Sequence, residues 1–150
     1  MAFNPYSNKN GTANYQPKPD TSLVKKEELP EEYVDLAESN VQALKSRHEK
    51  QISTTKLRNI FGLFADLYNQ TLRTENKQLT KEMQDILRSA RVRIIYECGR
   101  EAATKTFVES VKILEYLASI GNNKDKFIRF YHYMEALVAY ARYLKFSKDD

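Results

Sequence analysis

Apolar residues recur along this chain every three or four positions, in stretches separated by short polar joints, and that period marks amphipathic α-helices. The clearest stretch places Leu57, Ile60, Phe61, Phe64, Leu67, Tyr68 and Leu72 on one side of a helix at about 3.6 residues per turn. Ser53-Thr54-Thr55 precedes it, and Thr54 or Thr55 is expected to cap the free N–H groups of the first turn. The helix is predicted over Ser53 to Arg73. Its other side carries Arg58 and Arg73 beside the small residues Gly62 and Ala65, with Lys56 near the N-terminal edge. An open basic helix face of this kind suits a phosphate-bearing partner.

Four more helices emerge from the same arithmetic. Pro30 with Glu31 and Glu32 suits a first turn, and Tyr33, Ala37, Val41 and Leu44 form a stripe running to about Lys50. Thr80 can cap a third helix with Met83, Ile86, Leu87, Ala90, Ile94 and Cys98 on one side, where Gly99 marks a break or a close approach. A fourth spans about Ala102 to Ile120, turns Phe107, Val111, Leu114 and Leu117 inward, and ends at Gly121-Asn122-Asn123. The fifth runs from about Lys124 to Phe146 and is apolar nearly all round. Phe127, Phe130, Met134, Leu137, Val138 and Ala141 make a core face, while Ile128, Tyr133, Ala136, Ala139, Tyr140 and Tyr143 surround Arg129 and His132 on the other. Such a helix is either central to a bundle or in contact with a partner, and Arg129, His132, Tyr133, Tyr140 and Tyr143 are the candidate subunit contacts. No stretch has the alternation of a strand, so the expected fold is all-α: a compact bundle of about five helices over residues 30–150. Residues 1–29 hold three of the four prolines and no sustained apolar period, and are expected to form a disordered, flexible tail.

Charge is unevenly distributed. Residues 1–50 carry seven Lys/Arg against eight Asp/Glu, whereas residues 51–150 carry seventeen against twelve, so the net +4 belongs to the bundle. A basic bundle is compatible with an anionic partner and equally with ordinary solvated helix faces. Within it, Arg93 and Arg100 stand seven residues apart on one flank of the third helix, and Lys81 with Arg88 form a similar pair on the opposite face. Continuous with Lys56 and Arg58, the Arg93–Arg100 row would suit successive phosphates, which guanidinium groups bind bidentately. Glu97, four residues after Arg93 and three before Arg100, could instead neutralise either one.

Other chemistry is scarce. The single cysteine, Cys98, excludes an intramolecular disulfide framework and a cysteine-rich zinc site. His48 and His132 are the only histidines, on different helices, and neither belongs to a metal-ligand motif, so no metal and no cofactor is expected. There is no phosphate-cradling glycine loop, nucleophile elbow or Cys–His signature, so the chain is not expected to be an enzyme. No apolar run approaches the roughly 20 residues needed to cross a bilayer, and the start lacks a signal-peptide pattern, so a cytoplasmic location is expected.

Three runs together resemble one known family. Ile52-Ser53-Thr54-Thr55-Lys56-Leu57-Arg58-Asn59-Ile60, Val92-Arg93-Ile94-Ile95-Tyr96-Glu97-Cys98-Gly99-Arg100 and Phe130-Tyr131-His132-Tyr133-Met134-Glu135-Ala136-Leu137-Val138-Ala139-Tyr140 occur in the order seen in the small subunit of type III-A CRISPR effector (Csm) complexes. The resemblance implies a non-catalytic RNA-binding subunit in antiviral defence. Copies would stack along the complex, or dimerise, beside the CRISPR guide RNA and target RNA and in contact with the backbone and other subunits. Lys56, Arg58, Arg93 and Arg100 match the family's basic positions, and the last helix would serve mainly folding and subunit packing. The rival readings are a protein-only helical adaptor, docking through the Tyr-rich face of the last helix, and a helical DNA-binding regulator. No predicted helix offers the regulator a clear recognition face.

Overall fold

A computed structural model describes residues 22–149, so the expected tail up to residue 21 lies outside the described residues. The five predicted helical stretches are all helical, but two of them are broken. The elements are α1 (Tyr33–Ser46), β1 (Ile52–Ser53), α2 (Thr54–Gly62), α3 (Ala65–Leu72), α4 (Lys81–Arg100), α5 (Ala102–Ser110), α6 (Ile113–Ala118), α7 (Lys124–Tyr143) and β2 (Ser147–Lys148).

The first break separates α2 from α3. Leu63 and Phe64 donate to the carbonyls of Ile60 and Phe61, three residues back, which tightens the chain and shifts the register of α3. Phe64 and Leu67 still reach the core, but Leu72, expected inside, is 61% exposed. The second break lies at Val111–Lys112, where Lys112 adopts a left-handed conformation with φ 58°. The turn buries Val111 and Ile113 on either side of an exposed lysine.

Helix starts and stops obey hydrogen-bond accounting. Ser53, and not either threonine, caps α2 by accepting from the Lys56 amide at 3.0 Å. Thr80 caps α4 as expected, accepting from Met83 at 3.1 Å, and Asn123 caps α7 through Lys126 at 3.0 Å. The first helix ends four residues short of Lys50. His48 takes φ 55° there, while its amide bonds the Lys45 carbonyl and that of Glu49 bonds Leu44. Lys145 and Phe146 repeat the pattern after α7, with donation to Arg142 and Ala141. Both are Schellman-type ends built without glycine. Gly121 does adopt the left-handed turn expected of it, at φ 57°. Gly99 forms neither a break nor a close approach: it is exposed within α4, and a Cβ there would meet nothing within 4 Å.

Helix α7 runs through the centre and touches α1, α2, α3 and α6. Phe127, Phe130, Met134 and Leu137 are fully buried, each contributing about 1.5–3 kcal/mol relative to exposure. Tyr133 is buried with them, at 0% exposure. Its Oη donates to the Val111 carbonyl at 2.7 Å and accepts from Asn40 Nδ2 at 3.0 Å, tying α7 to the α5–α6 turn and to α1. The periphery is fastened by two short pairings. Strands β1 and β2 run parallel with Ile52 opposite Ser147, and the α3–α4 joint bonds to the α6–α7 turn through Leu79 N–H to Asn122 O at 2.7 Å.

Residues 22–29, expected to belong to the tail, pack against the bundle. Leu29 is buried, the Glu27 amide donates to the Glu115 carbonyl at 3.2 Å, and Glu27 and Glu28 pair with Lys112 at 2.9 Å and Lys126 at 2.8 Å. Leu29 thus packs with the bundle core although it precedes Pro30.

Candidate nucleic-acid interface

Lys56, in the first turn of α2, reaches Glu97 in the C-terminal half of α4, and this contact brings together three of the four predicted basic residues. Their meeting point is Glu97, a carboxylate whose side chain is only 6% exposed. Lys56 Nζ, itself mostly covered, donates to Glu97 Oε2. Arg93 lies 3.2 Å from Oε1, and Arg100 lies 3.9 Å from Oε2. The Lys56 hydrogen bond is the chief cause that holds the Glu97 carboxyl below the usual carboxylate range; burial opposes it, and the charges of Lys56, Arg93 and Arg100 reinforce it. A buried carboxylate is stable here because it is paired and hydrogen-bonded.

The four basic positions therefore divide. Lys56 is an internal counter-ion with little left to offer a ligand. Arg93 and Arg100 use part of their donor set on Glu97, yet their side chains are 60% and 56% exposed. Both guanidinium groups also flank the ring of Tyr96, at 5.6 and 5.7 Å from its centroid. Arg58 stands exposed one short step along α2 and makes no ion pair among the described residues. With Asn59, Gly62, Leu63 and Arg93 it lines an open cleft of ≈ 540 Å³ whose floor includes Lys56 and Glu97. Open space surrounds Gly62, where a Cβ would meet nothing within 4 Å. The site is thus a cationic rim over a neutralised floor, and it offers planar donors to a polyanion together with an exposed aromatic ring between two of them.

Sequence reasoning treated Glu97 only as a possible neutraliser and overlooked Tyr96. The spacing Arg93-x-x-Tyr96-Glu97-x-x-Arg100 carried the signal, because steps of three, four and seven residues set all four side chains on one flank.

The expected subunit contacts on α7 do not form one surface. Tyr133, placed there by its outward position in the sequence pattern, is a core residue, because α1 and the α5–α6 turn close over it. Arg129, His132 and Tyr140 are half-buried, and Tyr143 is 84% exposed. The His132 imidazole lies 5.5 Å from the Tyr68 ring and 4.0 Å from Glu135. Tyr68 stacks on Tyr131 at 4.0 Å, so the aromatic surface of α7 is largely used up within the chain.

Among the described residues no group of three His, Cys, Asp or Glu side chains is placed to hold a metal ion. Burial is the main reason the Cys98 thiol is pushed up to about 11, which leaves it protonated and poorly nucleophilic at neutral pH. No described helix is long and apolar enough to cross a membrane.

The family model described as Csm2 Type III-A matches residues 27–147. A "CRISPR system Cms protein Csm2" from Mycobacterium tuberculosis is 38% identical over 116 residues, covering 77% of this chain and 94% of that protein. Proteins of the same name from Streptococcus thermophilus and Enterococcus italicus are each 32% identical, over 115 and 96 residues. The former alignment covers 75% of this chain and 91% of that protein, the latter 63% and 69%.

Proposed function

The chain belongs to the Csm2 family of type III-A CRISPR systems, and from that premise we propose that it is a non-catalytic, RNA-binding small subunit of the effector complex. In this role it lines the path of the guide RNA and its target in the cytoplasm, stacks with further copies of itself and with the backbone subunits, and helps to monitor guide–target complementarity. Family membership supports a place in the complex. The observation that carries the RNA contact is that Arg58 and Arg93 stand exposed on one cleft, while Arg100 shares with Arg93 the buried, already paired Glu97.

A protein beside a guide–target duplex does not need to read bases, because pairing between the strands supplies the sequence information. It needs donors that track a backbone, and phosphate contacts position without specifying. Arg93 and Arg100 have fixed spacing because Glu97 and Tyr96 restrain both side chains from one helix. Less freedom is then lost when a phosphate arrives. Few charges per copy also imply that affinity accumulates along an array of subunits. The rival adaptor reading loses one of the five candidate contacts on the last helix, since Tyr133 is interior.

The test is target-RNA retention by the assembled complex carrying Arg58→Ala, Arg93→Ala and Arg100→Ala together. We expect weaker retention and a dependence of log K on log salt that is shallower by roughly 2 units, at about 0.7–0.9 per lost phosphate contact. Lys56 is left in place so that the Glu97 charge stays paired. Unchanged affinity and slope, with the variant still folded and incorporated, would refute the proposal.

A further inference from the structure

Arg91 points away from the Arg58–Arg93 cleft. At 100° per residue it lies about 160° around α4 from Arg93 and about 180° from Arg100, so a strand held by those two cannot reach it. Arg91 nevertheless has company. With Arg88, one turn earlier on α4, and Lys26, from the segment before α1, it rims a separate cleft of ≈ 210 Å³. The other walls are Gln84, Leu87, Leu117, Ala118 and Gly121.

The third cation is held in position by its neighbours. Leu29 is buried and the Glu27 amide donates to the Glu115 carbonyl, which place the backbone, while Glu27 lies 2.9 Å from Lys112 and Glu28 2.8 Å from Lys126 in exposed pairs. These pairings spend the two adjacent carboxylates on other lysines and leave Lys26 with no ion pair among the described residues. Arg91 likewise has none. Arg88 is partly neutralised by Asp85, 2.5 Å away, in a pair exposed on both sides and therefore weak.

The interior of the cleft differs from its rim. Leu87 and Leu117 close the floor, and half-buried Ala118 adds a small apolar step. Gln84 donates through Nε2 to the Leu79 carbonyl at 3.1 Å, which leaves its Oε1 as an acceptor. A flat apolar floor, one fixed acceptor and a rim of three cations do not describe a surface built only to be solvated. They match the parts of a nucleotide: a base or sugar face for the leucines, a base-edge donor for Gln84, and a phosphate for Arg88, Arg91 and Lys26.

We propose that this cleft is a second nucleotide-binding site, separate from the Arg58–Arg93–Arg100 track, that takes one nucleotide unit through its phosphate and its apolar face. The inference does not rest on the first reading, because it uses none of the same residues. The nucleotide can come from a free mononucleotide or from a single strand leaving the duplex, and the chemistry recognised is the same.

The experiment titrates the full-length chain with adenosine monophosphate, adenosine, inorganic phosphate and a six-nucleotide oligoadenylate. The amide resonances of Leu117, Ala118 and Gly121 are monitored, and each ligand is tested against wild type, Arg91→Ala, Lys26→Ala and Arg58→Ala/Arg93→Ala. We expect saturable shifts with the monophosphate or the hexamer, at least tenfold weaker binding of adenosine and of phosphate, and roughly tenfold loss in Arg91→Ala and in Lys26→Ala. The Arg58→Ala/Arg93→Ala variant is expected to bind in this cleft like wild type, so failure here and failure of the RNA track are distinguishable. Binding of the monophosphate supports a free-nucleotide source, and binding of the hexamer alone supports a strand. No saturable shift, or equal affinities for phosphate and the monophosphate, overturns the nucleotide site. So does an Arg91→Ala variant that leaves every titration unchanged but fails to assemble into the complex, which would make the rim a protein contact.

Discussion

The flank of α4 at Arg93–Arg100 and the outer face of α7 at Arg129–Tyr143 look alike as sequence, each mixing arginine with tyrosine at helical spacing, and they do opposite work. On α4 the buried group is a carboxylate, Glu97, and the arginines and Tyr96 stay outside around it. On α7 the buried group is the tyrosine itself, whose hydroxyl ties three elements together. A charged side chain that must be paired brings its partners to one place and leaves their spare donors in water. Tyr133 satisfies its single polar atom internally and has no exposed surface to offer.

The contrast can be broken most severely at Tyr133. Tyr133→Ala would empty a buried aromatic site and is expected to cost about 3–5 kcal/mol in urea or thermal unfolding. Tyr133→Phe would leave the Val111 carbonyl without its donor and is expected to cost about 1–3 kcal/mol. If either variant kept full stability but lost complex assembly, Tyr133 would be a docking residue after all.

A smaller effect is expected at Lys56. Lys56→Met removes the nearest partner of Glu97 and is expected to destabilise by about 1–3 kcal/mol, because the remaining arginines compensate only part of a buried charge. Arg93→Ala, by contrast, is expected to cost less than about 1 kcal/mol, because Arg93 itself is exposed and Lys56 still pairs with Glu97. The order would reverse if Lys56 faced the RNA and Arg93 supported the fold.

The same pair predicts a pH signature. The Glu97 carboxyl titrates below its ordinary value of 4.5, so between the two values the native state binds fewer protons than the unfolded state. Its contribution to stability is therefore complete above about pH 4.5 and is lost as pH falls through the lower native value. Urea midpoints measured from pH 6 down to pH 3 are expected to fall more steeply for wild type than for Lys56→Met. Parallel profiles would mean that the pair does not set the shift.

How far the sequence alone carried can be argued from particular residues. The apolar period located every helix, and the caps at Thr80 and the turn at Gly121 were legible because their chemistry is local. The breaks were not. Nothing in Leu63–Phe64 or Val111–Lys112 marks a helix end, and left-handed His48, Lys112 and Lys145 occupy positions where glycine is the usual signal. Tertiary packing overrode propensity there, and the register shift after α2 carried Leu72 out of the core. The basic site was half legible: spacing aligned Arg93 with Arg100, but only the contact between α2 and α4 shows Lys56 paired with Glu97 while Arg58 has no ion pair among the described residues. The Lys26 cleft depends on a segment read as tail and could not be seen at all.

The most direct test of the central claim sets the two flanks against each other in the assembled complex: target-RNA affinity over a salt titration for Arg93→Ala/Arg100→Ala beside Arg129→Ala/Tyr143→Ala. The predicted result is a salt slope shallower by about 1.5 units for the α4 pair and an unchanged slope for the α7 pair. Equal slopes, or the larger loss on α7, would contradict the account.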